Sequence, residues 1–228
     1  MSARLKGHGQ ERRRGFSLLE LIVVVAILGI TALIGISNVN ASLKRQKVAT
    51  AAEEVKTLAG RALTEMQNRN APTFLVFGRY VADIGTDVAV ILSADEDTEL
   101  DEAIDPNGDG LLDDASAAIL LWRTRIPPEV FLARDSTSAA VVWAAAGEQP
   151  QLRIPDTDPA PPDLLFTNAL ACDFRGRALL PGVAPPMIRG PARIQLTHRD
   201  MVSGVLTPSV VHTVTIGPLF KATVTRVP

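Results

Sequence analysis

The chain has 228 residues, 46% of them hydrophobic and 21% charged, with a formal net charge of −2. That length suffices for one large or two small domains with a sizeable core, and the composition excludes a disordered tail. The near-neutral balance excludes a uniformly basic nucleic-acid coat, and a single cysteine excludes an internal disulfide framework or a multi-thiolate zinc site.

The averages conceal sharp segments. Residues 1–15 hold five arginines and lysines against Glu11, a balance of +4. Residues 16–36 are almost wholly apolar. Twenty-one helical residues at ~1.5 Å each reach ~31 Å, one hydrocarbon core, so a single membrane span is expected here. The basic flank places the N-terminus in the cytoplasm and the remainder across the membrane.

The span continues without a breaker into a polar helix over 37–71. Val48, Ala52, Val55, Ala59, Ala62 and Met66 recur at intervals of four and three, an amphipathic stripe, with Glu53, Lys56, Arg61 and Glu65 opposite. Asn68–Asn70 before Pro72 supplies a stop. All sixteen prolines lie at or after Pro72, so helix is expected before that point and a punctuated strand domain after it.

Strands are expected at 73–77, 88–92, 118–122, 130–133, 140–144, 164–166, 192–197, 210–216 and 220–227. The stretch 155–163 reads as an exposed loop. The fold class is α+β: a long N-terminal helix, membrane half plus amphipathic half, packed on an antiparallel β-sheet or sandwich over 72–228. An acidic insert occupies about 93–116. From Asp83 to Asp163 there are 18 acidic and 4 basic residues (−14), whereas from Asp173 to Pro228 there are 7 basic and 2 acidic (+5).

The most informative residues run from Arg12 to Glu20, RRRGFSLLE. A basic segment ends in Gly15, an apolar helix starts at Phe16, and one carboxylate lies inside the apolar run. An unpaired Glu20 in lipid would cost several kcal/mol, so a partner or a functional reason is expected. A plain anchor, or a secretory signal ending at Val39-Asn40-Ala41, is the competing reading. Against it, the apolar run exceeds the usual 7–15 residues of such a signal and carries Glu20.

This N-terminus resembles the class III signal of type IV pilins and of the pseudopilins of type II secretion. The matching positions are Gly15, Phe16 and Glu20. The resemblance implies that 1–15 is a leader, that a prepilin peptidase cuts between Gly15 and Phe16, and that the new amine is methylated. Glu20, one helical turn from Phe16, would then neutralise that amine within one chain or between neighbours. Ser37 stands where many family members carry proline.

The second half resembles the H-type minor pseudopilins and the FimT-like minor pilins, through CDFRGRALLPG (172–182) and VVHTVTIGPLFKATV (210–224). The resemblance implies other pseudopilins or pilins, an inner-membrane assembly platform, and a secretin or cargo as partners. It also implies a periplasmic domain and assembly into a pseudopilus.

Two further motifs carry chemistry. Asp105, Asn107, Asp109, the Leu111 carbonyl and Asp113 follow the spacing of a calcium loop around Gly110, and alternating oxygens suit Ca²⁺. Position 12 is Ser116 rather than Glu, and a solvated acidic turn explains the same residues equally well. Arg175, Arg177, Arg189, Arg193 and Arg199 form a basic set that in FimT-like pilins would serve DNA uptake; ion pairing with the acidic stretch is the alternative. Three scattered histidines and a lone Cys172 offer no nucleophile–base pair, so the chain reads as a non-enzyme.

Overall fold

The computed structural model describes residues 18–92, 120–135, 142–155, 164–180, 188, 190–201 and 211–227. The chain divides into two compact units, Met1–Leu43 and Lys44–Pro228. One helix, α1 (Leu18–Arg69, 52 residues), runs through both and continues without interruption past Ser37. It ends where expected: Asn70 takes a left-handed φ of 53°, and Pro72 cannot continue a helix.

In the first unit the described structure is helix alone. Among the described residues no helix is long and apolar enough to cross a membrane.

The second unit is built on two antiparallel sheets. The first contains β1 (Thr73–Val81), β2 (Gly85–Leu92), β3 (Leu120–Ile126), β8 (Ala169–Cys172) and β9 (Ala178–Leu179), in the order β3-β2-β1-β8-β9. The second contains β4 (Val130–Asp135), β5 (Val142–Trp143), β10 (Ala192–His198), β11 (Val211–Ile216) and β12 (Ala222–Val227), in the order β12-β11-β10-β4-β5. Beside that path, β6 (Leu152–Pro155) pairs with β10 and with β7 (Leu164–Thr167). A 3-10 turn, Arg199–Met201, follows β10.

The expected stripe is the core face of the helix. Val48, Ala52, Val55, Ala59, Ala62 and Met66 are all buried, joined by Ala51 and Leu58. Four alanines in this stripe let the sheets approach the helix closely. The stripe shares one hydrophobic cluster with Leu75, Phe77, Val88, Val90 and Leu170 of the first sheet and Leu132, Ile194, Leu196, Val214 and Ile216 of the second. A smaller cluster lies on the other face of the first sheet, around Phe74, Val76, Ala89 and Ile91. Thr73 Oγ1 donates to the Ala62 carbonyl at 2.9 Å, pinning the start of β1 to the helix.

Nine strands fall on the expected runs, with β1 and β3 extending several residues further. Three were not expected: β6, β8 and β9. Gly85, the first residue of β2, has φ +103°, and a Cβ there would collide with the Ile126 carbonyl oxygen. Only glycine serves at that crossing. Asp87 of β2 is buried, and Arg125 across the ladder donates Nε–H to it at 2.7 Å.

Candidate assembly site and helix clamp

Glu20 lies in the first turn of α1 and is exposed in the single chain. Gly15 and Phe16 lie outside the described residues. Around Glu20 all ten large apolar side chains from Leu18 to Ile30 are exposed, Leu18 at 77%. They occupy every side of the helix, so no single face provides a solvent boundary. Burying each would be worth ~1.5–3 kcal/mol, so this surface favours an apolar surrounding. Thr31, the polar residue in this stretch besides Glu20, turns its Oγ1 back to the Ile27 and Leu28 carbonyls, each at 3.0 Å. Its hydroxyl is thereby satisfied without water.

A different arrangement holds the helix where the globular unit begins. Lys44 Nζ pairs with Asp200 at 2.5 Å, and Lys47 Nζ with Glu129 at 3.1 Å. The lysines hold both carboxyls below their ordinary range, chiefly by these hydrogen bonds. His198 is buried beside them, and its Nδ1 accepts the Asp200 N–H at 3.2 Å, which requires a neutral ring nitrogen. Burial lowers the His198 pKa first; Lys44 and Lys47 lower it further, against the pull of Asp200 and Glu129. Lysines at i and i+3 flanking the stripe were visible in the sequence. Their partners, 82 residues and more away, were not.

The basic set is distributed over both sheets. Arg175 is exposed in the β8–β9 turn, its guanidinium 5.3 Å from the Phe174 ring centroid. Arg177, in the same turn, is paired to buried Asp173 at 2.6 Å. Asp173 also accepts the Arg175 and Arg177 backbone N–H groups, so this arginine pair organises a turn around Gly176. Arg193 and Arg199 are exposed near the two ends of β10. Arg189 lies outside the described residues.

Asp105, Asn107, Asp109, Leu111 and Asp113 also lie outside them. Among the described residues no cluster of three or more His, Cys, Asp or Glu side chains could hold a metal ion. Cys172 is buried, and burial first, then neighbouring Asp173, pushes its thiol up to about 12. It packs as a small hydrophobe rather than reacting. His212 is buried on the core-facing side of β11, its pKa lowered by burial and by Arg226.

Comparison with known proteins bears on the N-terminal segment. Residues 11–36 match the family model for the prokaryotic N-terminal methylation motif. That match covers Gly15, Phe16 and Glu20 and supports a type IV pilin-like protein, processed by prepilin peptidase and assembled with other pilins. No curated protein and no solved structure matched the chain.

Proposed function

We propose that the chain is a minor pseudopilin, a structural and non-catalytic subunit of a type II secretion pseudopilus. The observation that carries this reading is the methylation motif over 11–36, continued by a helix whose apolar side chains are exposed all round. The precursor is anchored in the inner membrane by 16–36, with residues 1–15 cytoplasmic and the β-rich domain periplasmic. Cleavage at Gly15–Phe16 creates an amine that Glu20 of a neighbouring subunit neutralises, which sets the axial register. Successive helices then pack through a heterologous, non-closing contact, the geometry that extends a filament. The globular domain faces other minor subunits, the secretin or cargo.

The deciding experiment is the N-terminus and intact mass of protein extracted from the membranes of its own host. An N-methylated Phe16 start is expected. A start at Met1 would mean a plain anchor, and a start at Ser42 a secreted protein; either overturns the reading. A second reading, a FimT-like minor pilin in DNA uptake, is supported by exposed Arg175, Arg193 and Arg199. It requires DNA binding that weakens steeply with salt and is lost on Arg175→Ala with Arg193→Ala.

A further inference from the structure

A pocket of about 330 Å³ opens on the globular unit, walled by Tyr80, Phe131, Trp143, the Ala144–Ala146 segment and Arg199. The aromatic rings come from three strands: Tyr80 from β1, Phe131 from β4 and Trp143 from β5. Tyr80 and Phe131 meet edge to face with centroids 5.0 Å apart, and the Tyr80 hydroxyl donates to the Pro128 carbonyl at 2.8 Å.

The remaining wall is equally fixed. Tyr80 N–H donates to the Glu148 carbonyl at 2.9 Å, and Gly147 N–H donates to the Tyr80 carbonyl at 2.8 Å. Ala144 N–H donates to the Leu132 carbonyl at 2.9 Å, and Glu148, which follows this segment, is paired with Arg134 at 2.7 Å. The cavity is therefore built into both sheets before any ligand arrives, which lowers the ordering cost of binding.

Its charge is a single cation. Arg199 is the only ionised group among the lining residues. Of the carboxylates around it, Asp200 and Glu129 are paired with Lys44 and Lys47, and Asp83 also lies near Tyr80. None of the ion pairs among the described residues involves Arg199. Arg199 therefore makes no ion pair among the described residues, although Asp200 lies near enough to feel its charge, and its guanidinium stands at the mouth of an apolar, aromatic cavity.

We propose that this pocket docks an acidic peptide segment of a partner protein, one apolar side chain entering the aromatic cavity and the adjoining carboxylate meeting Arg199. The volume lies at the low end of ligand pockets, enough for one or two side chains and too small for a dinucleotide. An aromatic floor with an arginine at its edge is the composition of an interface anchor point. The proposal goes beyond filament assembly and holds whether or not the chain enters a pseudopilus.

The test uses the full-length chain in detergent and a fluorescein-labelled peptide, Gly-Leu-Phe-Asp-Asp, followed by anisotropy. Saturable binding is expected, weakened about tenfold or more by Arg199→Gln, by Trp143→Ala and by replacing both peptide aspartates with asparagine. Arg199 is exposed, so Arg199→Gln should melt like the parent; if Trp143→Ala lowers the melting temperature, the other two arms decide. No saturation at millimolar peptide, or equal affinity for the asparagine peptide or the Arg199→Gln chain, overturns the proposal.

Discussion

The two halves of α1 are one continuous helix and obey opposite rules. Over 18–32 the apolar side chains surround the axis and the large ones are exposed in the single chain; from Val48 onward eight form one buried stripe, with Leu63 partly buried beside it. The first half is written in Leu, Ile and Val, which present large area to any apolar surrounding. The second half buries four alanines among its eight stripe residues, which give up area for a close approach of helix to sheet. Side-chain size therefore separates a surface that awaits partners from one already packed within the chain.

If this division holds, changes in the first half should abolish assembly while leaving the fold intact. Gly15→Val should eliminate leader removal and with it incorporation, read as retention of residues 1–15 by intact mass. Glu20→Ala should be cleaved normally yet recover far fewer of the other pilins in a pull-down; undiminished recovery would remove the charge-neutralising role. Conversely, a fragment starting at Ser42 should melt within a few degrees of the full chain, because the core begins at Val48.

Changes in the second half should reverse the pattern, costing stability. Ala59→Leu, at a position with no exposed surface, should cost about 1–3 kcal/mol by overpacking. Gly85→Ala, with its Cβ against the Ile126 carbonyl, should cost about 2 kcal/mol and lower Tm by roughly 4–8 °C. Thermal melts of both variants check these values.

The smallest effect concerns pH. The folded pKa of His198 lies below its ordinary value of 6.5, so the unfolded chain binds more protons between the two. Stability should therefore be complete above about pH 6.5 and fall as pH drops from there toward the folded pKa. His212 shifts in the same direction and adds to the slope. The clamp carboxyls of Glu129 and Asp200, held low by their lysines, lose their contribution only at more acidic pH. His198→Gln should flatten the upper part of the Tm profile; an unchanged slope would show that His212 alone carries it.

What the sequence made legible follows from distance along the chain. The stripe, its stop at Asn70 and the Gly15–Phe16–Glu20 motif are local patterns, readable within a few turns of helix. Strand β8, by contrast, is Ala-Leu-Ala-Cys with all four side chains buried. It lies inside the first sheet between β1 and β9, so neither face alternates with solvent and the period-two signal vanishes. β6 ends in proline and β9 has two residues, both below the reach of propensity. The clamp and the aromatic pocket were illegible for another reason: Lys44 meets Asp200, and Tyr80 meets Phe131, only after both sheets have formed.

The pairing of β1 with β8 also bears on the order of events as the chain emerges. Thr73 is aligned with Cys172, and Val76 with Ala169, so about a hundred residues separate strands that lie side by side. Leu132 of β4 likewise waits on Leu196 of β10. Such pairings make closure slow, since the entropy of a long loop is spent before its contacts form. Until residue 172 is available, the β1–β2 hairpin and the alanine stripe have no complete core to enter. The globular unit is thus assembled late and nearly all at once, and its completed surface becomes available only after almost the whole chain has been made.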